Sequence, residues 1–151
     1  MTATDHSYHE VLAERIARRP LVVVVHSRST VRHALLVTLD LFGFDVRVAA
    51  DDVEAVVSIQ GVTPRALIVE ASMWPGTRAL VVDHLVARKD LRRLSVVILG
   101  ERPPGSTRDA PTSRLSIDRI PCESDINELL DLLGEVMASD APSTHPGAAS
   151  R

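Results

Sequence analysis

Residues 65–76 read RALIVEASMWPG, and this stretch decides how the rest of the chain is interpreted. The run 66–69 is apolar, and a single acid, Glu70, stands where that run stops. The dipeptide Pro75-Gly76 then predicts a turn. An open parallel sheet presents its functional groups at the carboxyl edge of its strands. The pattern therefore predicts a buried strand that places Glu70 at such an edge.

The composition predicts one domain with an aliphatic core. Of 151 residues, 45% are apolar and only 3% aromatic, so Val, Leu, Ile and Ala must fill the interior. The net charge of -3 comes without a basic stripe, which argues against nucleic acid as a partner. The apolar runs are too short to span a membrane, and no signal-peptide pattern is visible. One cysteine, Cys122, argues against a disulfide within the chain, and we expect a cytoplasmic protein.

Strand and helix patterns alternate along the chain. Continuous or alternating apolar runs predict strands, and apolar residues at helical spacing predict the helices between them. We expect helices to start at Ser29 or Thr30, at Asp51, and at Glu123 or Ser124, because these residue types cap helix starts. The predicted strands are 21–25, 44–49, 66–69, 94–99 and 115–120.

This alternation predicts a doubly wound parallel sheet with helices on both faces. Five strands in this length favour the flavodoxin-like order 2-1-3-4-5. The segment 101–114 contains three prolines, and each costs ~3 kcal/mol inside a helix. The helix between the fourth and fifth strands is therefore predicted to be short or missing. In this order, the carboxyl edge brings together His26, Ser27, Glu70 and Gly100.

The two ends of the sequence differ from the alternating part. Residues 1–19 predict a short amphipathic helix that stops before Pro20. Residues 139–151 are small and polar, which is typical of a disordered tail. The predicted domain therefore covers residues 20–138. The apolar residues at helical spacing near the N-terminus are Tyr8, Val11, Leu12 and Ile16.

Several passages also follow one another in a recognisable order. They are VVVVHS, TVRHALLVTLDLFGFDV, AADDVEAV and TPRALIVE, then LRRLSVVILG and IPCESDINELL. Together they resemble the receiver domain of bacterial two-component response regulators, and the first four match it without a gap. The resemblance covers about residues 20–138. It implies the five-stranded receiver fold and a role in signal transduction.

The resemblance also implies a set of functional residues, and this chain departs from each of them. Active receivers carry two acids for Mg²⁺ after strand one and a phosphoaccepting Asp at the end of strand three. They also carry a hydroxyl after strand four, and an aromatic residue and then a Lys before a Pro in strand five. The matching residues here are His26 and Ser27, Glu70, Gly100, Ile117, and Ile120 before Pro121. Counting back from Pro75 selects Ala71 instead of Glu70, which predicts a one-residue insertion before Pro75.

These departures predict that the phosphoryl chemistry is lost. Mg²⁺ needs oxygen ligands with negative charge, and at these positions only Glu70 supplies one. Phosphoryl transfer depends on positioned cations, and both the metal and the lysine are expected to be missing. We therefore expect no cofactor, no bound Mg²⁺ and no enzyme activity. Glu70 is then a solvated carboxylate or a mimic of the phosphorylated state, and an ion pair or half of a zinc site with His26 is a weaker alternative.

Without this chemistry, the surface is expected to carry the function. The first helix is predicted to bury one face and to leave Leu36, Val37 and Leu41 on the other. Clustered exposed apolar residues often mark an interface. The N-terminal helix, through Tyr8, Leu12 and Ile16, is a candidate to cover this face, within a monomer or across a homodimer. The predicted buried face consists of Val31, Leu35, Leu39 and Phe42.

The sequence therefore favours a stand-alone degenerate receiver domain that binds a protein partner without phosphorylation. One alternative is a receiver that still enters a phosphorelay through an atypical acceptor. Another is a flavodoxin-like domain that binds a small ligand, although HSRST replaces a glycine-rich phosphate loop after the first strand.

Overall fold

The computed structural model describes residues 19–101, 114–121 and 125–140. Within them, five parallel strands form one sheet in the order β2-β1-β3-β4-β5, which confirms the predicted topology. The predicted N-terminal helix lies outside the described residues, as do most of 101–114 and the tail from residue 141. The strands are β1 Leu21–Val25, β2 Asp45–Ala49, β3 Ala66–Glu70, β4 Leu94–Leu99 and β5 Leu115–Ile120.

Helical segments cover both faces of the sheet. We name them α1 (Ser29–Leu41), α2 (Asp52–Ser58), α3 (residues 71–86) and α4 (Ile126–Asp140). In the described part of the chain, none of these helices is both long and apolar enough to cross a bilayer. The segments of α3 are a 3-10 turn Ala71–Met73, an α turn Trp74–Thr77, a π turn Arg78–Val82 and an α turn Asp83–Val86.

The sheet separates two apolar layers, because alternate residues of a strand point to opposite faces. β1 and β4 are buried along their whole length, which explains why their sequences are apolar without alternation. One layer lies between the sheet and α1 and α4, and includes Val22, Val24, Ile68, Leu35, Leu39, Leu129 and Leu133. The other lies under α2 and α3, and includes Val23, Val25, Leu67, Ala55, Trp74, Val81 and Leu85.

The sequence predicts the cap of α2 correctly, but not the cap of α1. The cap position of α1 is Arg28, and Ser29 and Thr30 already lie inside the helix, so the predicted cap is wrong. For α2 the prediction is confirmed, because the Asp51 carboxylate accepts a 2.9 Å hydrogen bond from the Glu54 N–H. Both helices deliver their N-terminal turns to the carboxyl side of the sheet, where β1 and β2 end.

The chain turns out of α1 at Gly43. Gly43 has a φ of +94°, a left-handed conformation that suits glycine. Its N–H donates to the carbonyl of Asp40, and the Phe44 N–H donates to the carbonyl of Leu39, both at 3.1 Å. This pair of bonds is a Schellman motif, and it turns the chain into β2.

The region after β3 corrects the prediction of a Pro-Gly turn. Pro75 and Gly76 lie inside the helical turn Trp74–Thr77. Proline is tolerated there because the first turn of a helix does not use its N–H groups. Gly76 fits because a Cβ at this position would come within 2.5 Å of the Asp52 carboxylate. The chain therefore enters α3 directly after Glu70.

α4 lies against the sheet as its apolar spacing predicts. Its predicted caps, residues 123 and 124, lie outside the described residues, and Asp125 accepts a 3.1 Å hydrogen bond from the Glu128 N–H. Leu129 and Leu133 are buried on the face of α4 that packs against the sheet. The helix continues to Asp140, past the predicted domain end at residue 138.

Candidate functional site

The carboxyl ends of the central strands meet in one row, as the sequence predicts. Glu70 pairs in register with Leu99, and Leu99 pairs with Ile120. Residues paired across a parallel sheet project to the same face, so these three side chains share one face. His26 continues β1 at this level, and its N–H donates to the Ala49 carbonyl at 3.0 Å. We call the edge site the group His26, Ser27, Glu70, Gly100 and Ile120.

Glu70 is held in place by hydrogen bonds instead of being freely solvated. Its Oε1 accepts a 2.9 Å hydrogen bond from the Ser27 N–H, and its side chain is only 16% exposed. Partial burial raises the pKa of Glu70. The hydrogen bonds from the Ser27 N–H, the Ser27 side chain and the Ser72 side chain outweigh this effect and hold the pKa below its usual value. Glu70 is therefore an anion at neutral pH whose charge is already satisfied by donors.

His26 is fully buried beside Glu70 without forming an ion pair with it. Its Nδ1 lies 3.7 Å from Glu70 Oε1, but the same nitrogen accepts a 3.1 Å hydrogen bond from the Arg28 N–H. A ring nitrogen that accepts a hydrogen bond carries no proton. The predicted alternatives of an ion pair and of a zinc ligand through Nδ1 therefore do not fit this geometry. Ser27 is the main cause of the lowered pKa of Glu70.

Gly100 occupies a position that excludes any larger residue. Its φ is +120°, which strains every L side chain, and a Cβ would lie 2.9 Å from the Cβ of Ala71. The Gly100 N–H donates to the Ile120 carbonyl at 2.8 Å, which fixes the backbone in this place. A hydroxyl side chain therefore cannot be placed here without moving the start of α3.

Two arginines near the edge site, Arg32 and Arg119, are not indicated by the sequence pattern. Arg32 donates to the carbonyls of His26 and Ser27 at 2.8 and 3.0 Å. Arg119 donates to the carbonyl of Gly100 at 3.1 Å. Both fix backbone segments that end at the site. The alternation of strand residues predicts that Arg119 lies on the opposite face from Ile120. The position of Arg32 over the loop after β1 does not follow from any sequence pattern, because it depends on the fold.

Comparison with known structures identifies the fold. A beryllofluoride-activated NtrC receiver domain is 24% identical, with 82% of this chain and 98% of that chain covered at a TM-score of 0.60. A response regulator receiver domain from Bacillus halodurans is 19% identical, with 79% and 97% covered at a TM-score of 0.59. The chain has the fold of response regulator receiver domains. No family model and no curated protein sequence matches it.

A third receiver supports the same conclusion about the fold. The CheY-like receiver domain from Methylobacillus flagellatus is 16% identical, with 78% of this chain and 98% of that chain covered at a TM-score of 0.56. The described strands span the same five-stranded receiver sheet, and the edge site lies where that sheet ends. The resemblance that the sequence passages carry is therefore confirmed at the level of the fold.

The residues of the edge site do not fit the Mg²⁺ ion of receiver chemistry. A magnesium site uses carboxylate oxygens and water in near-octahedral array. The edge site supplies the carboxylate of Glu70, and its Oε1 already accepts a hydrogen bond from the Ser27 N–H. Within residues 19–101, 114–121 and 125–140, no three acidic, His or Cys side chains come together as a metal site would require. Ile120, at the predicted lysine position, is buried in the core.

The remaining predicted site residues lie at the edges of the fold. Ile117 is half-buried against the layer under α2 and α3, and Pro121 is exposed after β5. On α1, Val37 and Leu41 are 46% and 79% exposed, as predicted, whereas Leu36 is half-buried. Phe42, predicted to be buried, is 62% exposed because it lies beyond the last turn of α1. Tyr8, Leu12 and Ile16 lie outside the described residues.

Proposed function

We propose that this receiver-fold chain is a degenerate receiver that acts as a protein-interaction module in a signalling assembly, without switching by phosphorylation. The observation that carries the proposal is the set of contacts around Glu70. Its carboxylate is bonded to Ser27, and the row beside it continues with the buried side chains of Leu99 and Ile120. This is an apolar and hydrogen-bonded environment instead of a metal-binding one.

Phosphoryl transfer to Glu70 would lack the groups that stabilise its charge. The reaction depends almost entirely on cations placed around the transferred group. The edge site offers neither a second carboxylate for a metal ion nor a lysine ammonium at Ile120. Arg32 and Arg119 already donate to backbone carbonyls. We therefore propose that Mg²⁺ binding and phosphate acceptance are lost, and that the chain is not an enzyme.

Propagation of a phosphate signal would also fail at Gly100. In the receiver pattern, a hydroxyl in this place follows the phosphate and moves the end of strand four. Gly100 has no side chain, and the contact with Ala71 leaves no room for one. This supports a surface that binds its partner in one fixed state. The chemistry that remains for recognition is that of the protein surface, which exposes several apolar side chains.

The direct test is phosphorylation by small phosphodonors. The purified chain is incubated with acetyl phosphate or phosphoramidate and Mg²⁺, and its intact mass is measured. The expected result is an unchanged mass, while an active receiver treated in parallel gains one phosphoryl group. A phosphorylated product would overturn the proposal and favour the phosphorelay alternative. Mapping of the modified residue would then identify the atypical acceptor.

The interaction role needs a test of its own. A tagged chain and its Glu70→Gln variant capture proteins from the native host, each with and without phosphodonor. The proposal expects the same partner in all four samples, since binding does not read the charge or the phosphorylation of Glu70. A partner that appears only with phosphodonor, and only on the unmodified sequence, would contradict phosphorylation-independent binding.

A further inference from the structure

One side of α1 exposes apolar residues at its C-terminal end. Val37, Asp40 and Leu41 stand at positions i, i+3 and i+4, so they lie next to one another on one face of the helix. The adjacent Phe42 is also exposed. Buried Leu35 and Leu39 hold the opposite face against the sheet. We call Val37, Asp40, Leu41 and Phe42 the α1 outer face.

The chain enters the described fold at this same face. Arg19, the first described residue, places its Nη1 3.0 Å from Oδ1 of Asp40. Pro20 is buried, and its carbonyl accepts a 3.0 Å hydrogen bond from the Asp45 N–H. The segment that precedes Arg19 is therefore tethered beside the exposed side chains of Val37 and Leu41.

The negative charge at the C-terminal end of α1 favours basic residues nearby. The C-terminal end of a helix is its negative end, so an acid there is unfavourable and a cation favourable. α1, which is described throughout, carries Asp40 in its last turn and has no basic residue there. Arg19 supplies one cation from outside the helix. Arg15 and Arg18 stand just before it in the sequence.

We propose that residues 8–16 of this chain dock on the α1 outer face of the same molecule. Tyr8, Leu12 and Ile16 repeat at a spacing of four, so a helix would present them as one apolar stripe. Only Ala17 and Arg18 separate Ile16 from the anchored Arg19. So short a tether gives the segment a high effective concentration at this face, which favours it over a second copy of the chain.

Hydrogen exchange measured by mass spectrometry tests this docking in the full-length chain. Backbone amides within 8–16 are expected to exchange about tenfold or more slowly than in an unstructured peptide, since docking shields them. Leu41→Lys places a positive charge in the docking face, where it repels the arginines at the end of the segment, and is expected to abolish this protection. Val57→Lys is the matched control, because Val57 is 61% exposed on α2, on the other side of the sheet, and should leave the protection unchanged.

Each remaining outcome decides against the proposal. Unprotected amides within 8–16 of the unmodified chain would show that the segment does not dock. Protection that survives Leu41→Lys would place the segment elsewhere. Protection that rises with protein concentration, together with a dimer mass in light scattering, would assign the face to a second copy. Since Leu41 is 79% exposed, thermal melting is expected to show an intact fold for its variant. These outcomes do not depend on whether Glu70 accepts phosphate.

Discussion

Gly100 is a position where this chain departs from the receiver pattern and where its own backbone leaves no room for a side chain. In the receiver pattern this position carries a hydroxyl, but here the backbone has a φ of +120° and Ala71 fills the space above it. Gly100→Ala is expected to lower the free energy of unfolding by about 1–3 kcal/mol, because it adds backbone strain and a steric overlap. Urea denaturation measures this difference.

The control for this substitution is a glycine with open space around it. Gly134 lies within α4, and a Cβ there would meet nothing within 4 Å. Gly134→Ala is expected to raise the free energy of unfolding by about 0.5–1 kcal/mol, since alanine is the better helix former. Adding Ala71→Gly to Gly100→Ala is expected to recover only the steric part. A stable Gly100→Ala protein would contradict the close contact with Ala71.

The charge on Glu70 predicts a defined dependence of stability on pH. Its pKa is lower in the folded state than in the unfolded state, where it is about 4.3. The carboxylate therefore stabilises the fold above the unfolded pKa, and this stability is lost as the pH falls through the folded pKa. Glu70→Gln is expected to be less stable than the unmodified chain at neutral pH.

The same pair of proteins provides the internal check. Once the pH has fallen below the lowered folded pKa of Glu70, both proteins carry a neutral side chain at this position, so their thermal unfolding temperatures are expected to converge. Gln retains an oxygen that accepts from the Ser27 N–H, so the comparison isolates the charge. A stability difference that is constant from acidic to neutral pH would show that the charge contributes nothing.

At the level of elements, β-branched and apolar runs predict the strands well. β1 and β4 are continuous apolar runs because both of their faces are buried, and their bounds agree with the prediction. The region after β3 is less predictable, because proline and glycine occur both in turns and in the first turn of a helix. Gly76 lies in a helical turn, and the close approach of the Asp52 carboxylate explains why glycine stands there.

The π turn within α3 has a simple interpretation. A π turn holds one more residue than an α turn and often marks an insertion into a helix. The resemblance to receiver domains implies one extra residue before Pro75, and the π turn Arg78–Val82 lies just after Pro75. Val81, Val82 and Leu85 are all buried. α3 therefore keeps its apolar face on the sheet through the π turn.

Arg88 links two elements in a way that its sequence context does not reveal. The cluster of basic residues 88–93 suggests a solvated helix end, but Arg88 donates to the carbonyls of Ile59 and Val62 after α2. Arg88→Lys loses this two-pronged contact and is expected to lower the free energy of unfolding by about 1–2 kcal/mol. Arg92→Lys is the matched control, because Arg92 is exposed. In chemical denaturation, its free energy of unfolding is expected to differ from that of the unmodified chain by no more than about 0.5 kcal/mol.

For the whole molecule, periodicity and topology rules predict the arrangement of the strands better than they predict the side-chain contacts. The sheet order and the meeting of His26, Ser27, Glu70 and Gly100 follow from alternation and right-handed crossovers. The hydrogen bonds that decide their chemistry do not follow, because they depend on how the loop after β1 folds back. His26 Nδ1 accepts a hydrogen bond from the backbone N–H of Arg28. A sequence pattern does not reveal where a backbone N–H points.

The receiver scaffold with its altered edge site leads to a prediction about metal binding. In the amide NMR spectrum, millimolar Mg²⁺ is expected to leave the resonances of the unmodified chain around Glu70 in place. Ser27→Asp adds a second carboxylate beside Glu70 at an exposed position, and Mg²⁺ is then expected to shift the resonances at the ends of β1 and β3. Gln60→Asp adds the same charge beyond the far end of α2 and serves as the control. Shifts spread over the surface of all three proteins, with none concentrated at the edge site, would reflect charge screening and agree with the proposed loss of the metal. Shifts concentrated at the edge site of both the unmodified chain and Gln60→Asp would show that Glu70 suffices, and they would overturn that proposal.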